Sequence, residues 1–416
     1  MTGTFAAWVR FISSHGRFLS FGFCINAFIS VGQTFYISLF NGSIQDALGI
    51  SHGEIATIYG ASLMLGALLT SQAGRIYDLF DLRLICTILL LLVVGSAAAM
   101  AMVTSPVGLF FAMFGIRFFG GGLLGLGAQS SMARYFDLER GKAASIANAG
   151  HTFGFGILPL IGAMLVDGFG WRGAWWAVAA FALVIMLPLV ATQLRGHGAR
   201  HARYMQRMAE LGAMPSDNTV RHFSVGEMLR DRRFYMLLPG MLAVPAILFT
   251  FQFHQLELIA EKGWDLRTFA ASYILFSVSA FLGNMIAGEL VDRHGTRWLL
   301  PWYLIPMIPA LFAIALTDHP VVIQIYMIGM GLTFGLALVV GVTLWAELYG
   351  SKHIGAIRGF TVALNTFIAA GGMAGVGWLI DVGYTIAQQA FACGLVTVLS
   401  ALLLIRVAQR LPVKAN

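Results

Sequence analysis

Charge is scarce in this chain: Asp, Glu, Lys and Arg make up 11% of its 416 residues. Cysteine is scarcer still, and all three, Cys24, Cys86 and Cys393, sit in apolar runs. That placement suits packing residues and argues against a disulfide framework or a clustered metal site. A grouped nucleophile, base and orienting acid are also missing, as is a glycine-rich loop that follows a strand and could hold nucleotide phosphates. An enzyme reading therefore has little support, and no cofactor is expected. Energy for any work the protein does would come from ion or substrate gradients.

What the chain has in abundance is apolar sequence. Mean hydropathy is +0.79, with 48 Gly, 32 Phe and 19 Met, a composition outside the ordinary soluble range. A bilayer core about 30 Å thick needs about 20 mostly apolar helical residues to cross it. Twelve such runs are predicted, at 18–40, 55–74, 84–103, 107–130, 143–166, 172–193, 234–259, 268–288, 298–317, 321–346, 356–380 and 386–407. They are numbered helices 1 to 12, and the fold class they imply is an all-α integral membrane protein. The first run is too long for a cleaved signal and is kept as helix 1.

The net charge of +7 would suggest nucleic acid in a soluble protein. Its distribution gives a better account. With the N-terminus in the cytoplasm, only Arg172, Lys262 and Arg267 fall outside and Arg117 lies inside a helix. The rest of the 26 Lys and Arg lie in cytoplasmic termini and loops. The expectation is a multi-pass protein of the cell (inner or plasma) membrane with both termini cytoplasmic. Its partners would be the lipid bilayer and a small solute, with no nucleic acid.

Two loops repeat each other. "GRIYDLFDLR", Gly74 to Arg83, and "GELVDRHGTR", Gly288 to Arg297, are separated by a constant offset of 214 residues. The same offset pairs Gly49 with Gly263, Tyr59 with Tyr273, Tyr135 with Tyr349, Gly141 with Gly355 and Asp167 with Asp381. Two parallel six-helix halves follow, as in many secondary transporters. The expected division is 1–194 for the N-terminal bundle, 195–233 for a basic linker and 234–416 for the C-terminal bundle. The linker's middle reads either as a surface amphipathic helix or as a solvated connection.

On these residues the chain resembles the major facilitator superfamily across nearly its whole length. The family's loop motif runs Gly, three residues, Asp, Arg, one residue, Gly, then a basic pair. Gly288, Asp292, Arg293, Gly295 and Arg297 match it, whereas the first copy has Leu79 for Arg and Asp81 for the second Gly. The resemblance implies two pseudo-symmetric six-helix bundles, and it implies that the motif is a cytoplasmic gate. Asp78 would pair with Arg134 and the start of helix 11, and Asp292 would sit near the start of helix 5, where free N–H groups favour an anion. The implied gate residues are Gly74, Asp78, Arg83, Arg134, Gly288, Asp292, Arg293 and Arg297; ordinary interfacial charges are the alternative. "RYFDLERGKAASIANAGHTFG" is similar to the monocarboxylate-transporter and oxalate-exchanger group at Tyr135, Phe136, Arg140, Gly141, Ala143, Ala149, Gly150 and Gly154. Helix 8 departs from that group in lacking an Asp and Arg pair.

Candidates for solute or coupling contacts follow from polar residues within the spans. Arg117 lies near the middle of helix 4. A central Arg costs about 2.5 to 3.5 kcal/mol to insert, so it should face a partner or a watery cavity. Bracing the bundle against backbone carbonyls is the alternative role. His151 on helix 5 and His254 on helix 7 are possible proton sites or hydrogen-bonded packing residues. Glu257 shares a helical face with His254, and a solvated position at the mouth is its alternative. Gln33, Tyr36, Gln252, Asn284 and Asn365 could complete a cavity or bond across helices. The expected function is secondary transport of a small organic anion, a carboxylate, by alternating access with proton coupling. The alternative is proton-antiport export of an amphipathic or drug-like solute.

Overall fold

The computed structural model describes residues 2–73, 76–136, 140–198, 223–350 and 354–410, without side chains for 2–10, 71–73, 78–79, 133–134, 140 and 410. Backbone amides in a bilayer core have no water to bond, so apolar runs of this length fold as helices. Helices 2, 3, 8, 10, 11 and 12 are His52–Ala73, Leu82–Met102, Leu266–His294, Val322–Tyr349, Ile354–Asp381 and Ile386–Arg410. Helix starts use short polar caps. Asp81, Ser105, Asp231 and Asp265 each accept a backbone N–H from the first turn, satisfying donors that have no intrahelical partner. At Asp265 the Thr268 N–H and hydroxyl hold the carboxyl below its usual range.

The remaining spans are interrupted. Helix 1 is helical from Thr2, passes through tighter turns at Ile29–Gly32 and Ser38–Phe40, and ends with Asn41–Leu48. It is bent by 49° between Phe11–Gly32 and Thr34–Leu48. Helix 4 is Pro106–Gly115, a wide π-helical segment Ile116–Leu124, and Gly125–Tyr135. Helix 7 is Arg232–Phe253 and Gln255–Lys262, broken at His254. Among the described residues nine helices are long and apolar enough to span a membrane, or ten counting the bent first one. The stretch Gly141–Gln193 contains non-helical Gly170 (φ 68°) and is therefore helices 5 and 6. Thr296–Leu299 and Met307–Leu316 make up helix 9. Among the described residues, helices thus occupy each of the twelve expected places. Helix 1 outruns its expected end at 40 because the polar Asn41–Leu48 turn remains helical up to Gly49.

The backbone carries the repeat. Phe40 (φ −103°, ψ −6°) and His254 (φ −96°, ψ 28°) are kinked alike and stand 214 residues apart. Each is followed by an eight-residue helix closed by a left-handed glycine, Gly49 at φ 65° and Gly263 at φ 65°. Only glycine takes that conformation freely.

Two compact units form. One gathers residues of 1–36, 65–154 and 165–218, the other residues of 37–64, 155–164 and 219–416. In the first unit helix 3 packs on helices 4 and 6, and helix 1 on helix 4. Gly150 and Gly154 of helix 5 let helix 1 approach closely: a Cβ on Gly150 would collide with the Phe23 carbonyl, and one on Gly154 would lie 2.7 Å from the Ala27 carbonyl. Small residues four apart are the usual device for such contacts in membranes. In the second unit helix 8 packs on helix 10, helix 7 on helix 11, and helix 9 on helices 10 and 12. There Gly331 and Gly335 face the Phe276 and Ala280 carbonyls of helix 8.

Because the obstacle at Gly150 is backbone, Gly150→Ala is expected to lower unfolding stability by about 1–3 kcal/mol. Gly355→Ala, with nothing within 4 Å of its added Cβ, should leave it unchanged. Thermal unfolding of the two purified variants checks the difference.

Candidate substrate and coupling site

In the first unit the candidate residues meet where helices 1 and 4 are both irregular. The tight turn Ile29–Gly32 ends at Gln33, which is extended (φ −82°, ψ 157°). The ladder fails there, and the Gly32 carbonyl accepts from Arg117 Nη1 at 2.9 Å while Gln33 Oε1 accepts from the same nitrogen at 2.8 Å. Arg117 lies in the π-helical segment, a distortion that often marks functional sites. Its Nε is buried without a hydrogen-bond partner, so the guanidinium braces the break and still has a donor unused. On the other side of the turn, Ser30 Oγ lies 3.3 Å from His151 Nδ1. Tyr36 is buried and meets Trp175 edge-on at 6.0 Å. In the same segment the Leu123 carbonyl accepts from Tyr77 OH at 2.7 Å.

The second unit repeats the pattern at the His254 break. The helical ladder restarts with Leu258 N donating to the His254 carbonyl, leaving the two preceding carbonyls without intrahelical donors. Ser38 Oγ donates to the Gln252 carbonyl at 2.7 Å and Asn41 Nδ2 to the Phe253 carbonyl at 3.0 Å. Gln255 Nε2 donates to Ser38 Oγ, and Tyr273 OH to Gln255 Oε1, each at 2.8 Å. Gln252 is 3% exposed, and both polar atoms of its amide lack partners. His254 Nε2 lies 2.9 Å from the Met373 carbonyl, and Glu257 Oε1 lies 2.9 Å from His52 Nδ1.

The start of helix 2 belongs to the same unit and is held by the end of helix 11. Asp381 accepts from Ser51 Oγ at 2.7 Å, His52 N at 3.0 Å and Gly53 N at 2.8 Å. A Cβ on Gly377 would be 2.6 Å from the His52 carbonyl, and one on Gly60 would be 3.2 Å from Ala370 Cβ. The two helices are thus in backbone contact over two turns.

Other expected residues stand apart from these clusters. Asn365 lines a separate cavity of about 190 Å³ with Met241, Trp345, Arg358 and Thr361. Asn284 is on the exposed face of helix 8. Of the gate set, Gly74 and the side chains of Asp78 and Arg134 lie outside what is described, and so does most of the linker's middle, 199–222. Arg83 is exposed, with its N–H bound by Asp81. Gly288 is half-buried, Asp292 is exposed, Arg293 pairs with Glu289, and Arg297 Nη2 donates to the Gln409 carbonyl at 3.3 Å. Helix 9 begins beside the motif at Thr296, whose N–H is 3.2 Å from both Glu347 carboxylate oxygens.

Ser38, His52, Arg358 and the capping role of Asp381 escape a reading of the spans alone. One signal was available: Ser38 is the counterpart of Gln252 at the 214-residue offset.

The family model for the Major Facilitator Superfamily matches residues 22–273, more than half of the chain. The chain belongs to the Major Facilitator Superfamily. It is a multi-pass membrane transporter, not an enzyme. Among curated relatives, the aspyridones efflux protein apdF of Emericella nidulans is 26% identical over 299 residues, 70% of this chain and 54% of that protein. The chain thus spans about half that relative's length. The cis,cis-muconate transport protein of Acinetobacter baylyi is 24% identical over 334 residues, 74% of this chain and 77% of that protein. The nucleoside transporter NupG superposes with TM-score 0.71 at 16% identity, covering 94% of this chain and 98% of that one. A D-xylose-proton symporter superposes with TM-score 0.67, also at 16% identity, covering 93% and 96%. At such identities the two structures share the major facilitator fold with this chain.

A buried amide without partners costs about 1–3 kcal/mol, so Gln252→Leu is expected to raise thermal stability while reducing transport. Ser38→Ala should lower stability by about 1 kcal/mol. Unfolding midpoints of both variants, measured beside uptake, test whether Gln252 is kept for function.

Proposed function

We propose that the chain is a secondary transporter that moves a small organic anion, a carboxylate, by alternating access and coupled to the proton gradient. The observation that carries this reading is Arg117. It is a cation in the middle of an apolar span, tied to the helix 1 break through one nitrogen, with a buried donor still unpartnered. A guanidinium presents paired donors that match a carboxylate's two oxygens. Muconate is a dicarboxylate, so the relative named for its transport points the same way. The likeness to the monocarboxylate and oxalate group at Arg140, Gly141, Ala149, Gly150 and Gly154 supports it as well.

On this reading Gln33, Tyr36, His151, Gln252, His254, Glu257, Asn284 and Asn365 remain the candidate contacts. Gly74, Asp78, Arg83, Arg134, Gly288, Asp292, Arg293 and Arg297 form the cytoplasmic gate between bundles 1–194 and 234–416, and both termini are cytoplasmic. Export of an amphipathic solute by proton antiport is the second reading, favoured by the similarity to an efflux protein.

The deciding experiment is thermal stabilisation of the purified protein by cis,cis-muconate, benzoate, oxalate, xylose, a nucleoside and a lipophilic cation. A ligand at 100 times its Kd stabilises the state it binds by about 2.7 kcal/mol. Carboxylates should stabilise, and Arg117→Gln and Arg117→Lys should both abolish the shift, because lysine lacks the fork. Stabilisation by the lipophilic cation alone, retained in Arg117→Gln, would establish export instead.

A further inference from the structure

His254 interrupts helix 7, and its ring is 1% exposed. Its Nε2 is 2.9 Å from the Met373 carbonyl oxygen. A carbonyl can only accept, so Nε2 carries a hydrogen and Nδ1 of the neutral ring is a bare lone pair. That lone pair faces Glu257 Oε2 across 3.9 Å, and neither atom has a hydrogen-bond partner although both are buried. Two buried acceptors 3.9 Å apart repel. One proton, on either atom, turns the pair into a donor and an acceptor.

The other carboxylate oxygen leads outward. Glu257 Oε1 is 2.9 Å from His52 Nδ1; the His52 side chain is 36% exposed and that of Glu257 10%. Both residues line a cavity of about 490 Å³, with Gln45, Asp46, Gly49, Ile50, Ser51 and Ala260. This cavity lies where helix 1 ends and helix 2 begins, on the face away from the N-terminus. Imidazole, carboxylate and imidazole thus follow one another from the vestibule to a buried end.

No other ionisable group reaches Glu257 among the described residues. Asp381 of helix 11 is engaged by Ser51, His52 and Gly53. Glu54 of helix 2 turns back on the Ser51 N–H. Glu261, one turn along helix 7, accepts from the Ile386 and Ala387 N–H groups of helix 12, and Lys262 pairs with Asp318. Asp46 of helix 1 lines the vestibule. Among the described residues the cationic partners on offer to Glu257 are therefore the two imidazoles.

We propose that Glu257, set between His254 and His52, is the proton-binding site of this transporter, loaded from the vestibule. The proton moves without redox chemistry: it leaves water in the vestibule, passes to His52, and is held between Glu257 Oε2 and His254 Nδ1. The His52 to Glu257 contact also ties the start of helix 2 to helix 7, so occupancy of the site bears on whether that junction stays closed. The coupling role rests on the proton-driven reading above, whereas the binding site itself does not.

The test is an infrared pH titration of the purified full-length protein, unlabelled and with ¹³C-carboxyl glutamate. Wild type should show a protonated glutamic acid carbonyl band that shifts with the label and vanishes as pH rises. Glu257→Gln should lack it and Glu227→Gln should keep it. His254→Asn should move its midpoint by about one pH unit, tenfold in proton affinity. If Glu257→Gln does not fold, the label and the His254→Asn midpoint decide. No label-sensitive band in wild type, or one unchanged in both site variants, overturns the proposal. In proteoliposomes, wild type should accumulate cis,cis-muconate under a proton gradient and Glu257→Gln should not; unchanged accumulation overturns the coupling role. Should wild type show the band but no proton-driven muconate uptake, the carboxylate reading falls while the site stands.

Discussion

Everything distinctive in this molecule follows from the requirement that a chain inside a bilayer satisfy its own backbone. A continuous helix meets that requirement without help, and helices 2, 3, 8, 10, 11 and 12 do so. Where a span breaks, carbonyls lose their intrahelical donors, and an unpaired one costs several kcal/mol in hydrocarbon. Here the freed carbonyls at the breaks of helices 1 and 7 receive a side chain: Arg117 on Gly32, Ser38 on Gln252 and Asn41 on Phe253. Polar residues are therefore drawn to the same few places, and the candidate site is a by-product of repairing the backbone. Discontinuous helices with exposed ends are how transporters of other folds build their binding sites as well.

Much of the fold was legible because membrane helices announce themselves through composition and the two halves punctuate themselves alike. The pairing of Gly49 with Gly263, read from spacing, reappears as two glycines in the same left-handed conformation at φ 65°. The pairing of Phe40 with His254 could not be read that way, since a kink has no residue of its own and the two share no chemistry. The repeat fixed backbone geometry at these positions and left the side chains free to diverge. That freedom allowed one kink to carry an aromatic packing residue and the other an imidazole.

The candidate site was legible by residue type and illegible by partner. Arg117, His254 and Glu257 stand out because ionisable groups are expensive in apolar spans. What each one touches depends on helix rotation, which hydrophobic runs without a strong moment do not encode. His52 shows the limit: at the start of helix 2 it reads as an interfacial residue, yet it holds the Glu257 carboxylate at 2.9 Å. Asn284 shows the converse, a polar residue inside a predicted span that falls on the exposed face.

The joint between helices 2 and 11 shows how such a structure can be both tight and reversible. Gly377 and Gly53 bring two backbones into contact, and packing of that kind gives a single well-defined closed state. Asp381 adds no opposite charge; it accepts from a hydroxyl and two N–H groups at a helix start, donors that water would otherwise satisfy. Separating the joint at a wetted face therefore exchanges protein hydrogen bonds for hydrated ones, at a net cost of order 1 kcal/mol each instead of their gross strength. On the alternating-access reading proposed above, a closure built this way would differ from its open form by a few kcal/mol, which is within the range that a bound solute or a single proton can shift. A buried ion pair in the same place would have penalised opening far more, because each separated charge would need its own solvation.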